Sequence, residues 1–171
     1  MRIYLIGYMA SGKSNLGRHL ASKLGYGFVD LDYLFEERYR ISVLDFFEKY
    51  DEPAFRKIEQ ALLLETTELD DVVISTGGGT PCFFNNMEFI KHSGLSVYLL
   101  WEVPALVSRL KMVKRKRPLL KDIPPDELEG SVARQLAERS FYYTQADFTI
   151  RGFNMDMEAL VQWVRSRLGA G

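Results

Sequence analysis

The 171 residues suit one compact domain and leave little room for a second. With 22 Lys and Arg against 23 Asp and Glu, the chain has no global field to draw it to nucleic acid or a membrane surface. No apolar stretch approaches the ~20 residues needed to cross a bilayer, and the single cysteine, Cys82, excludes an internal disulfide; the reading is a cytoplasmic, monomeric protein.

Ile3-Tyr4-Leu5-Ile6 is a continuous apolar run ending at Gly7, the pattern of a strand buried on both faces. A helix follows over 13–24, then a second strand at Gly27-Phe28-Val29. Helical patterns cover 33–39, 42–49 and 53–68 before a third strand at Val72-Val73-Ile74. Helix 84–92, a strand from Val97 to Trp101, helices 103–111 and 126–144, a strand at Phe148-Thr149-Ile150 and helix 156–168 complete the chain. Strands alternating with helices predict an α/β fold with a five-stranded parallel sheet covered on both faces. Two segments exceed what simple crossovers require: Tyr33 to Asp71, and the basic, proline-punctuated stretch from Met112 to Pro125. Long insertions in compact domains commonly cover active sites. Trp101 and Trp163 lie in apolar patterns and are assigned to the core.

Gly7-Tyr8-Met9-Ala10-Ser11-Gly12-Lys13-Ser14 matches G-x-x-x-x-G-K-[ST] between a strand and a helix. Chance would place those four fixed residues in roughly one chain of this length in 200. Glycines let the backbone curl so that amide N–H groups converge on phosphate oxygens, and the helix start adds its positive dipole end. Lys13 is positioned for the β- and γ-phosphates of ATP, and the Ser14 hydroxyl for Mg²⁺. The guanine-reading N-K-x-D of a GTPase switch is missing, and the chain is short for a motor or transporter ATPase. A small-molecule kinase needs, in addition, a carboxylate beside the acceptor, cations for the migrating phosphoryl and a cover.

Asp30 and Asp32 end the second strand, at the sheet edge where ligands gather. In extended chain their spacing of two puts both carboxylates on one side; the bland alternative is that they cap the next helix. Thr76-Gly77-Gly78-Gly79 follows the third strand, and three bare residues let a ligand press on the backbone. Lys111 to Arg117 carries five cations in seven residues with no aromatic interleaved. That composition suits a lid closing on triphosphate better than a nucleic-acid patch.

Taken in order, G-x-x-x-x-G-K-S, D-x-D, Phe55-Arg56-Lys57-Ile58-Glu59, T-G-G-G and Arg117-Pro118-Leu119-Leu120 resemble the shikimate kinase family along essentially the whole chain. The resemblance implies transfer of the ATP γ-phosphoryl to the 3-hydroxyl of shikimate on a single domain, residues 1–171. It also implies the strand order 2-3-1-4-5, an acceptor-binding insertion at about 33–64 and a lid at about 111–125. Lys13, Asp32 and Arg117 take catalytic roles; Ala10, Ser11, Gly12, Lys13, Ser14, Asn15 and Arg117 hold the nucleotide. Ser14 and Asp30 serve Mg²⁺. Arg56 and Arg139 grip the shikimate carboxylate beside Asp32, Gly77, Gly78 and Gly79, a task that suits the guanidinium fork. Ala10 and Asn15 depart from the family's usual glycine and threonine; the methyl of Ala10 fits if φ stays negative. Two other readings stay open: a related kinase for another hydroxy acid such as gluconate, and a catalytically silent nucleotide-binding regulator.

Overall fold

The computed structural model describes residues 1–112 and 118–168. Its strands are β1 (Arg2–Ile6), β2 (Gly27–Asp30), β3 (Val72–Ser75), β4 (Leu95–Leu100) and β5 (Phe148–Arg151). They form one parallel sheet in the order β2-β3-β1-β4-β5. The helices are α1 (Lys13–Leu24), α2 (Leu31–Tyr39), α3 (Val43–Lys49), α4 (Glu52–Glu65), α5 (Asn86–Ser93), α6 (Val103–Met112), α7 (Leu128–Tyr143) and α8 (Met157–Leu168).

Alternation along the strands splits the core into two layers. Ile3, Leu5, Val73, Val97 and Leu99 pack on one face against Leu16 and Leu20 of α1 and Leu160 and Val164 of α8. Tyr4, Ile6, Ile74 and Tyr98 face the other way, against Phe35, Phe55, Leu62, Leu106, Val132 and Tyr143 from α2, α4, α6 and α7. In the long insertion an aromatic cluster does the joining. The Phe35 ring meets Phe46 at 5.3 Å and Phe55 at 5.1 Å, edge to face in both cases. Such pairs add about 0.5–1.5 kcal/mol each beyond their area and tie α2, α3 and α4 together.

Element ends differ from the sequence expectation for local reasons. Helix α2 begins at Leu31, two residues early, because Asp30 caps it by accepting from the backbone N–H groups of Asp32 and Tyr33. Helix α4 stops at Glu65, where the Thr66 hydroxyl turns back to the Leu63 carbonyl at 2.6 Å. Phe84, at φ 51, delays α5 to Asn86. Strand β4 ends at Leu100, and Trp101 turns away from the sheet. Both Trp101 and Trp163, expected in the core, are only partly buried. Because β1 is central, with β3 on one side and β4 on the other, the chain leaving it enters the crevice at the carboxyl edge of the sheet.

Candidate active site

The loop from Gly7 to Gly12 fills that crevice and hands the chain to α1. Gly12 caps the helix at φ 99 with no side-chain partner, and the first turn of α1 holds no acidic residue. Its leading N–H groups are thereby left for an anion. Lys13, only 8% exposed, lays its ammonium on the carbonyls of Gly7 and Tyr8, 2.9 Å from each. Met9, Ala10, Gly12, Lys13, Ser14 and Asn15 line a cavity of about 330 Å³. Buried Ser11 stands behind them, its side chain 3.5 Å from the Lys13 ammonium. Ala10 departs from expectation: its φ is 60, in the left-handed region, where a methyl group costs about 1–2 kcal/mol.

Asp30 and Asp32 also line this cavity, although not by the extended-chain geometry expected. Asp32 belongs to the first turn of α2, and Asp30 is its cap. The cap and the site coincide: one Asp30 oxygen takes the helix N–H groups while the other receives the Ser14 hydroxyl. Ser14 and Asp30 are hard oxygen donors side by side, the ligand type Mg²⁺ prefers. Among the described residues no three His, Cys, Asp or Glu side chains cluster to cage a metal. Mg²⁺ in nucleotide sites usually takes few protein ligands and keeps phosphate oxygens and water.

A second cavity adjoins the first through Met9, Asp32 and Gly78, which line both. Arg56, Glu59, Gly77, Gly79 and Arg139 complete its polar wall, and Phe47, Phe55 and Leu119 its apolar side. Arg56 is 5% exposed and held from three directions: Glu59 at 2.8 Å, Glu52 at 2.8 Å, and the Phe83 ring 4.3 Å from its guanidinium carbon. Burial pushes the Glu59 carboxyl up from its ordinary range, against the opposing pull of Arg56 and a 2.6 Å bond from the Thr80 hydroxyl. A Cβ on Gly79 would lie 2.5 Å from Arg56 Nη2, so a side chain there would push the guanidinium off its partners.

Arg139 reaches the same cavity from α7. Its guanidinium lies 5.4 Å from the centre of the Tyr8 ring, and its Nη1 is buried with no hydrogen-bond partner among the described residues. A buried donor without a partner is costly. Tyr143, one turn on, donates its hydroxyl to the Gly78 carbonyl and fixes the glycine turn. Burial raises Tyr8 to about 12, which keeps its hydroxyl a neutral donor to Gln135 at 2.8 Å. Cys82, raised by burial to about 11, is a poor nucleophile at neutral pH.

Arg117 and the middle of the expected basic stretch, residues 113–117, lie outside the described residues. The segment beyond them is placed: Leu119 roofs the second cavity, and Lys121 pairs with Glu48 on α3. Two residues play parts that the sequence reading did not give them: Glu59 stands there within a motif, and Trp101 is there a core residue. Trp101 and Arg109 bond the phosphate loop, to Ser11 and Ala10 respectively. Only the buried neighbours of Glu59 and the turn at Leu100 reveal them, and neither has a sequence signal.

Comparison with known proteins agrees with this geometry. The family model described as shikimate kinase matches residues 9–168. The shikimate kinase of Parabacteroides distasonis is 44% identical over 167 residues, covering 98% of this chain and 96% of that one. The crystal structure of shikimate kinase from Bacteroides thetaiotaomicron superposes with a TM-score of 0.88 at 39% identity, over 99% of this chain and 98% of that one. A second, shikimate kinase from Acinetobacter baumannii in complex with shikimate, gives 0.86 at 33% identity, over 98% and 92%. The chain belongs to the shikimate kinase family.

Proposed function

We propose that this chain moves the γ-phosphoryl of ATP to the 3-hydroxyl of shikimate, with the two adjoining cavities as nucleotide and acceptor sites. The single observation carrying this is the meeting of the two cavities at Asp32, with a buried, unpartnered guanidinium nitrogen of Arg139 on the acceptor side. The loop amides, Lys13 and Asn15 hold the phosphates; Arg109, which also lines that cavity, stands on the nucleotide side. Mg²⁺, held by Ser14 with Asp30 behind its water shell, would neutralise charge on the phosphate oxygens. Arg56 and Arg139 orient the acceptor through its carboxylate, over the backbone of Gly77, Gly78 and Gly79. Asp32 accepts the hydrogen bond of the 3-hydroxyl. As the bond from phosphorus to the β–γ bridging oxygen breaks, the 3-oxygen takes the phosphoryl and its proton passes toward Asp32. Arg117 adds positive charge from the lid. Rate enhancement comes from positioning and charge neutralisation.

The domain reading goes with this: one domain, an acceptor-binding insertion at about 33–64 and a lid at about 111–125. Action as a cytoplasmic monomer belongs to the same proposal; both cavities are lined by residues of this chain. No helix among the described residues is long and apolar enough to cross a membrane. Gluconate as acceptor and the silent regulator are set aside, because the near full-length relatives at 39–44% identity are shikimate kinases.

Arg56→Ala tests the acceptor side. It strands the buried Glu59 carboxylate, at a cost of about 3–5 kcal/mol of stability. The double variant Arg56→Ala/Glu59→Gln removes the stranded charge and is expected to recover most of the melting temperature while turnover stays lost and MgATP still binds. Recovery of shikimate turnover along with stability would take Arg56 out of the acceptor site.

A further inference from the structure

Trp101 lies outside every motif that names the family, yet its indole is built into the phosphate loop. Its Nε1–H donates to the Ser11 carbonyl at 2.8 Å. Arg109, two turns along α6, lays its guanidinium 4.5 Å from the indole centre and donates from Nε to the Ala10 carbonyl at 2.7 Å. On its far side the indole is seated against Gly152, where any Cβ would collide with it. Two successive carbonyls of the loop are thus pulled toward one stacked pair.

A trans peptide is planar, with its C=O and N–H directed oppositely. Holding the Ser11 oxygen against the indole therefore turns the Gly12 N–H away from it, toward the cavity that Gly12 lines. The loop needs such a hold because Ala10 sits at φ 60, a conformation an alanine leaves readily when nothing fixes its flanking peptides. We propose that Trp101 is a positioning residue for the nucleotide: with Arg109 stacked on it, it presets the loop amides for the triphosphate. This rests on the reading of the loop as the ATP site and assigns the tryptophan a role in nucleotide affinity, with none in acceptor binding.

Trp101→Phe keeps an aromatic ring against Gly152 and Arg109 and removes only the N–H. Losing one neutral hydrogen bond should raise the KM for MgATP about threefold to tenfold, with the KM for shikimate unchanged. An unchanged KM for MgATP, or a parallel rise for both substrates, would overturn the proposal in favour of plain packing. A second measurement does not depend on that variant folding. The chain has two tryptophans, and Trp163→Phe leaves Trp101 as the sole source of an indole N–H resonance. That resonance is expected to exchange slowly with solvent and to move when MgADP is added but not with shikimate alone. Rapid exchange, or no response to MgADP, would refute the clamp. Detectable turnover of the Trp163→Phe protein with shikimate separates failure of the clamp from failure of the kinase reading itself.

Discussion

Arg139→Met is expected to lower kcat/KM for shikimate by about 10²–10⁴-fold, as two charged hydrogen bonds at roughly 1.5–3 kcal/mol each are lost. MgATP affinity should stay near the native value, because Arg139 lines the acceptor cavity and not the nucleotide cavity. The melting temperature should hold or rise. In the protein without ligand, Nη1 is buried with no partner among the described residues, and methionine fills similar volume without a donor to desolvate. Activity and stability move in opposite directions, the signature of a group kept for binding. Titration calorimetry with shikimate and a thermal melt check both halves; a large fall in melting temperature would mean that Arg139 chiefly supports α7.

Lys13→Met is expected to have an effect of similar size on the other substrate. Removing one preorganised cation from the migrating phosphoryl costs about 10²–10³-fold in kcat. Here stability should fall as well, by about 1 kcal/mol, since the Gly7 and Tyr8 carbonyls lose their shared donor. Those two bonds also satisfy an ammonium that is almost fully buried. Single-turnover rates with saturating MgATP report the loss, and shikimate binding should be untouched. A kcat near native would remove Lys13 from the transferring phosphoryl.

The sheet was legible because its signal is local. Ile3 to Ile6 and Val72 to Ile74 are uninterrupted apolar runs, and only burial on both faces accounts for them. The phosphate loop was legible because backbone curvature demands glycine at fixed places. Legibility failed where one residue serves two ends. Asp30 caps α2 and also lines the first cavity, so the capping reading of D-x-D holds for it without excluding a place in the site. The condition that Ala10 keep a negative φ is not met: its φ is 60, and a residue's type alone does not reveal the backbone conformation of a turn. The i,i+3 spacing of Arg56 and Glu59 puts them side by side on a helix, but it does not show that the pair is buried. Burial decides whether the pair is worth tenths of a kcal/mol or several. Trp101 was misplaced because an apolar pattern shows that a ring is buried and says nothing about where its N–H points.

Initial rates of ADP release with MgATP, comparing shikimate with its methyl ester, test most directly the claim that paired guanidinium groups hold the acceptor by its carboxylate. The ester keeps the ring and the 3-hydroxyl and lacks the charge. The account predicts steady turnover with shikimate and a kcat/KM at least about 100-fold lower for the ester. Equal turnover of the two, or none with shikimate, would contradict it.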